Sequence, residues 1–336
     1  MLIALTPGFF MQMKFLVTGG AGFIGSHIVS RLLSEGHDVS IIDNFNDFYD
    51  PQIKRDNITN QQAAAKKSVN GARLQVIEAD ITDNAAVTKL ISEGTFDTII
   101  HLAARAGVRP SIQKPRLYLD TNITGTFNLL EAANNAGCKH FIFASSSSVY
   151  GLAETIPFSE NMPLPRTLSP YAATKLAGEQ LCANFSHLYD MRTICLRFFT
   201  VYGPAQRPDL AIYKFTHMID QGQPIPKFGD GNTRRDYTYV DDIVDGVIGA
   251  INYRDKNFDV FNLGESETTT LNTLIAQIEK NLGKKALIEQ LPEQPGDMPR
   301  TCADITKARH LIGYNPQTKI SQGIPKFVEW YCQHKT

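Results

Sequence analysis

Residues 14–36 read KFLVTGGAGFIGSHIVSRLLSEG: a short apolar run, glycines at 19, 22 and 25, then apolar residues at helical spacing until Gly36. The pattern predicts a strand over 13–18, a tight turn, and a helix over 23–35. Gly19, Gly22 and Gly25 fall where strand becomes helix, so the backbone can turn sharply and approach a pyrophosphate, whose charge a helix N-terminus favours. A glycine string alone can be no more than a turn. Here a strand precedes it, a helix follows it, and Asp43 ends the next apolar run. A carboxylate at that point accepts hydrogen bonds from an adenosine ribose and repels a 2′-phosphate, which selects NAD over NADP.

Further out come DVSIID (38–43), RLQVIEAD (73–80), FDTIIHLAA (96–104) and KHFIFASSS (139–147), separated by helical patterns such as 120–136. These runs are apolar without alternation, as strands buried on both faces are. A long helix over 171–190 and a strand over 192–198 follow. The expected fold is α/β, a doubly wound, Rossmann-like parallel sheet over 13–198, into which later segments may enter. Beyond it, Pro204, Pro208, Pro224 and Pro226 mark a loop-rich stretch, and 270–283 a helix. Residues 199–336 are therefore expected to form a smaller α/β substrate-binding region. Residues 1–12 are expected to be a disordered extension, or to precede the true start.

The 336 residues carry 33 Lys and Arg against 34 Asp and Glu, and 43% are hydrophobic. That balance excludes disorder, a collagen-like fibre and a coiled coil. With no run of five like charges, nucleic acid is not an expected partner. No apolar stretch approaches the roughly 18 residues of a membrane span, so no membrane partner is expected either. Cys138, Cys182, Cys195, Cys302 and Cys332 are odd in number and lack a C-x-x-C, which suggests reduced thiols in a cytoplasmic protein and no metal site.

SSSSVYG (145–151) stands at the carboxyl end of a central strand, where open α/β sheets bind ligands. Further on, Tyr171 and Lys175 share a helix face at i, i+4. Free tyrosine titrates near 10, so it becomes a useful base only where positive charge stabilises the tyrosinate. Lys175 and a nicotinamide cation would both do so, and a serine hydroxyl could hydrogen-bond the substrate oxygen. His101 reads as a packed residue at a strand end.

TGGAGFIG (18–25), HLAA (101–104), SSSSVYG (145–151), YAATK (171–175) and RRDYTYVDD (234–242) together resemble the extended short-chain dehydrogenase/reductase superfamily, specifically its nucleotide-sugar 4-epimerases. The resemblance runs from about residue 13 to the end. It implies Tyr171 as acid/base, Lys175 as its electrostatic partner and a ribose ligand, and Ser146 as the hydroxyl nearest the sugar O4. It also implies cofactor contacts at Phe23, Ile24, Asn44, Asp80, Ile81, Leu102, Ala103, Ala104 and Asn122, with Arg235 on the substrate diphosphate. The mechanism it implies removes a hydride from C4 to NAD and returns it to the opposite face. The family further implies a homodimer through the Tyr171 helix.

Dehydratases and decarboxylases of this superfamily generally have acidic side chains beside the catalytic hydroxyl, where this chain has Ser147 and Ser148. FFTVYGPAQRPDLA (198–211), NDFYDPQIKRDNI (46–58) and QPGDMPRTCADI (294–305) resemble the UDP-glucuronate 4-epimerases. Thr200 stands near the position where the galactose branch usually has an asparagine. Substrate contacts are thus expected at Ser147, Ser148, Thr200, Arg207, Arg235 and Asp297, with Arg207 a candidate partner for a sugar carboxylate and Arg109 a second. A UDP-glucose or UDP-GlcNAc 4-epimerase, a UDP-glucuronate decarboxylase and a non-catalytic NAD sensor remain the alternatives.

Overall fold

A computed structural model describes residues 12–68, 71–293 and 298–335. The N-terminal extension and Asp297 lie outside the described residues, Gln12 excepted. Six strands of one sheet come in chain order: β1 (Lys14–Thr18), β2 (Asp38–Asp43), β3 (Leu74–Glu78), β4 (Thr98–His101), β5 (His140–Ser146) and β6 (Arg192–Phe198). A seventh, Phe258–Leu263, pairs with β6, and the order across the sheet is Phe258–Leu263, β6, β5, β4, β1, β2, β3. Every pairing is parallel.

Parallel strands need crossovers, and helices cover both faces. Residues Phe15 and Val17 of β1 enter one hydrophobic cluster, and Leu16 between them enters another. The period of two thus divides each apolar run between two cores. On the glycine-turn side, α1 (Phe23–Ser34) follows β1 and α2 (Pro51–Lys66) follows β2. Asp50 caps α2 by accepting from the Gln52 amide at 2.9 Å, and Pro51 occupies its first turn. β3 leads into α3 (Asn84–Gly94), capped by Asp83.

Between β4 and β5 run α4 (Val108–Gln113), α5 (Pro115–Leu119) and α6 (Gly125–Asn135). Regular helical periodicity over 120–136 misses one feature, the π-helical turn Asp120–Thr124 that joins α5 to α6. After β5 comes α7 (Pro170–Tyr189), started by Ser169, whose side chain accepts from the Ala172 amide at 3.2 Å.

The chain beyond 198 holds α8 (Ala211–Asp220), α9 (Val240–Asn252), α10 (Leu271–Leu282), α11 (Thr306–Ile312) and α12 (Ile320–His334), together with three small strand pairs. One pair joins Pro224–Phe228 to Leu287–Leu291 in parallel, so the helices after 270 are not alone there. β1 and β4 are neighbours although β2 and β3 lie beyond β1 in the opposite direction. That reversal opens a crevice at the carboxyl ends of the strands, and the ligand cleft occupies it.

Candidate active site

The cleft begins at the glycine turn. Gly19 has φ +70°, and a Cβ on it would stand 2.8 Å from the Ala103 nitrogen; one on Gly25 would stand 2.3 Å from the Gly19 carbonyl oxygen. Neither position accepts a side chain, which lets α1 start directly against the end of β4. Gly22, at the N-cap of α1, supplies no side-chain cap, so the first-turn amides remain available to an anion in the cleft.

At the end of β2, Asp43 is buried, and its Oδ1 accepts from the Phe45 amide and from Lys54 Nζ, each at 3.0 Å. Lys54 is buried as well and lines the same cleft. Asp80 accepts from Asn44 Nδ2 at 2.7 Å and from the Thr82 amide and hydroxyl at 2.8 and 2.7 Å. Burial pushes its carboxyl up, but these hydrogen bonds outweigh it and hold Asp80 below the usual carboxylate range.

At the other end, Ser146 terminates β5. Its Oγ accepts from the Ser148 amide at 3.2 Å and the Ser148 hydroxyl at 3.0 Å, which begins the 3₁₀ turn Ser147–Tyr150. Tyr171, in the first turn of α7, shares the cleft lining with Ser146, whose hydroxyl acts on its phenol. Burial raises the Tyr171 phenol above its ordinary value, opposed by that hydroxyl and by the positive charge of Arg207. Lys175, one turn along, donates to the Ala144 carbonyl at 2.7 Å and lies over the Phe143 ring. Burial lowers its ammonium to about 8, with Cys182 and Glu179 working against the shift.

Arg207 follows the small strand Thr200–Tyr202. Its Nε donates to Asp209 Oδ1 at 2.9 Å and its Nη2 to Asp209 Oδ2 at 2.6 Å, and the guanidinium lies 5.1 Å from the Phe48 ring centre and 5.9 Å from that of Tyr49.

Behind the wall, Glu179 of α7 takes both arms of Arg197 at 2.9 and 2.8 Å and the Ser145 hydroxyl at 2.5 Å. His101 is buried between the Thr18 and Thr126 hydroxyls, at 2.7 and 2.9 Å, and burial lowers it to about 3. It is neutral and packed. Among the described residues no cluster of His, Cys, Asp and Glu could hold a metal ion.

Of the residues singled out in the sequence, Gly19, Gly22, Phe23, Ile24, Gly25, Asp43, Asn44, Asp80 and Ile81 line the glycine-turn end of this cleft. Leu102, Ala103, Ala104, Ser146, Tyr171, Lys175, Thr200 and Arg207 line the rest. Five others lie off its lining. Asn122 is buried on the π turn, where its side chain bonds the Arg105 amide and carbonyl and Thr174 Oγ1, tying the loop after β4 to α7. Ser147 and Ser148 sit in the 3₁₀ turn, and Arg235 donates to the Arg234 carbonyl. Arg109, on α4, stacks on Phe228. Lys54, Phe48, Tyr49 and Asp209 line the cleft without having been anticipated. The signal for Lys54 was Asp50-Pro51, a helix start that places Lys54 in the first turn of α2.

The profile of the GDP-mannose 4,6-dehydratase family matches residues 16–327. The chain belongs to that family. Within the family, a probable UDP-glucuronate 4-epimerase of Rhizobium meliloti is 38% identical over 340 residues, covering 96% of this chain and 98% of its own. The solved UDP-glucuronic acid 4-epimerase of Bacillus cereus, in complex with UDP-glucuronic acid and NAD, superposes with a TM-score of 0.86 at 38% identity, over 96% of this chain and 99% of that one. The UDP-glucose 4-epimerase of Thermotoga maritima with UDP-glucose gives 0.84 at 31%, over 96% and 99%. Among the described residues, the carboxylates lining the cleft are Asp43, Asp80 and Asp209. Asp43 is paired with Lys54 and Asp209 with Arg207.

Proposed function

We propose that this protein interconverts UDP-glucuronate and UDP-galacturonate by NAD-dependent epimerisation at C4. The observation that carries the reading is the convergence of Ser146, Tyr171 and Lys175 with the glycine turn on one cleft, in a chain similar along nearly its whole length to UDP-glucuronate 4-epimerases. The glycine cradle, the uncapped amides of α1 and the buried Asp43 fit NAD: amides for the pyrophosphate, carboxylate for the ribose. When bound, NAD supplies the hydride acceptor and donor.

The chain's own part is proton transfer and orientation. Ser146 hydrogen-bonds the sugar O4 and holds it against the Tyr171 hydroxyl. Tyr171, as tyrosinate, takes the O4 proton while C4 loses hydride, and gives it back when hydride returns. Lys175 is fixed by the Ala144 carbonyl and contributes a positive field that favours the tyrosinate. Arg207 meets the C5 carboxylate, and Thr200 lines the sugar pocket. Ser147, Ser148, Arg235 and Asp297 are proposed as further substrate contacts that the sugar nucleotide brings into play. Residues 13–198 serve mainly the cofactor and 199–336 mainly the sugar nucleotide.

The outer faces of α4 to α7 expose Ile112, Leu117, Leu119, Phe127, Leu188 and Tyr189. We assign this apolar surface to a homodimer contact. Five free cysteines fit a reducing cytoplasm. Among the described residues, no helix is long and apolar enough to cross a membrane.

The test is incubation with UDP-glucuronate followed by separation of the C4 epimers. Appearance of UDP-galacturonate supports the reading. Turnover of UDP-glucose with none of UDP-glucuronate would move the assignment to the neutral sugars, a second reading favoured by the fact that Arg207 already has a carboxylate partner.

A further inference from the structure

We infer that Asp209 is an exchangeable latch on Arg207: it fills the guanidinium fork in the open cleft, yields it to the carboxylate of an acidic sugar, and takes it back during turnover. The inference rests on the reading of the cleft as a site for UDP-glucuronate.

Asp209 holds both Nε and Nη2 of Arg207, the geometry by which a guanidinium takes a carboxylate ligand. The cleft therefore contains a carboxylate site filled by the protein itself. The remaining edge of Arg207 could accept a second carboxylate, but two anions would then share one cation, and like charges disfavour each other. Substrate and Asp209 compete even where they do not claim the same hydrogen.

The two partners differ in freedom. The Arg207 side chain is 17% exposed and wedged against Phe48 and Tyr49, whereas that of Asp209 is 38% exposed. Asp209 can move into solvent while Arg207 stays. Arg207 is also near the reacting centre, since its charge acts on the Tyr171 phenol. The sugar carboxylate, on the carbon next to C4, falls in the same neighbourhood. After oxidation the keto ring must present its other face before hydride returns. A carboxylate held in a fixed fork resists that rotation, and one that can be exchanged for Asp209 does not.

Asp209→Asn removes the charge and keeps the size. On the holoenzyme, KM for UDP-glucuronate should fall about three- to tenfold, and kcat should fall with it because release of the keto sugar slows. For UDP-glucose KM should not fall. Asp209→Glu, which restores a carboxylate, should return both parameters toward wild type. An unchanged or raised KM for UDP-glucuronate, or an equal fall for both sugars, would overturn the latch.

Calorimetric titration of the holoenzyme with UDP-glucuronate separates this from the proposed function. Tighter binding by Asp209→Asn in an enzyme that epimerises only neutral sugars would sustain the latch and reject that function. Equal binding by variant and wild type, or none by either, would reject the latch.

Discussion

Lys175 Nζ stands 6.0 Å from the centre of the Tyr171 ring and directs its hydrogen bond to the Ala144 carbonyl at 2.7 Å. The i, i+4 spacing brings the two groups to one helix face. The positive charge that acts on the Tyr171 phenol is that of Arg207, which the spacing does not reveal.

Tyr171→Phe should lower epimerisation by at least about a hundredfold, because proton transfer to and from O4 is lost. The glycine turn is untouched, so bound NAD should survive gel filtration at wild-type stoichiometry. Dinucleotide content and turnover, measured on one preparation, check both halves. Undiminished turnover would remove Tyr171 from the proton path.

Lys175 links function to stability. Its ammonium falls from 10.5 to about 8 on burial, so the folded state binds this proton less tightly than the unfolded chain. The penalty is fully present below about pH 8 and is relieved between about 8 and 10.5, as folded Lys175 sheds its proton. It amounts to about 3 kcal/mol, against about 1.5–3 kcal/mol for the charge-assisted hydrogen bond to Ala144. Lys175→Met should therefore be inactive yet melt no lower than wild type at pH 7, and its stability relative to wild type should fall by pH 10. Calorimetry of the cofactor-free proteins reads this. A difference that does not change with pH would show that the charge is not the cause.

Cofactor choice depends on the Asp43–Lys54 pair. Asp43→Ala removes the carboxylate that would repel a 2′-phosphate and leaves the buried Lys54 ammonium facing the cleft. The preference for NAD over NADP should narrow by about tenfold or more, measured by titrating each dinucleotide. Wild-type protein that binds NADP as well as NAD would show that Asp43 does not face the adenosine ribose.

Arg207→Ala should reduce kcat/KM on UDP-glucuronate more than on UDP-glucose. Loss of a charge-assisted contact costs about 1.5–3 kcal/mol, and competition from Asp209 places the expected loss near the lower end, about tenfold. Oxidation at C4 makes a β-keto acid, and without the fork its carboxylate can turn out of the ring plane and leave as carbon dioxide. Surviving turnover should thus release more UDP-pentose, separable by chromatography. Equal losses on both sugars would make Arg207 an ordinary loop arginine.

Much of the fold was legible because uninterrupted apolar runs such as DVSIID can be satisfied only between two covered faces, and its strand is Asp38–Asp43 as expected. The ends of β5 and α7 were legible for a local reason as well: Ser146 caps a turn and Ser169-Pro170 starts a helix. What escaped is what depends on distant or unusual backbone. The π turn looks like ordinary helix by periodicity, yet it is where Asn122 clamps the loop after β4. Lys54 reads as a solvated helix residue until α2 folds back over Asp43. Asp209 reads as one more loop acid, since two residues of separation say nothing about whether its carboxylate faces Arg207.

The seventh strand has a consequence for how the protein must be made. Phe258–Leu263 pairs with residues 193–198 of β6, and Asn262 within it accepts from the Tyr150 hydroxyl, which also receives a bond from Arg197. During synthesis, the polypeptide up to residue 198 therefore has an open, sticky sheet border and an unfinished polar core. A chain cut there would expose Ile194 and Leu196 along a bare edge and invite self-association. The first 198 residues should not stand alone as a module, because the last plank of their sheet is delivered some sixty residues late.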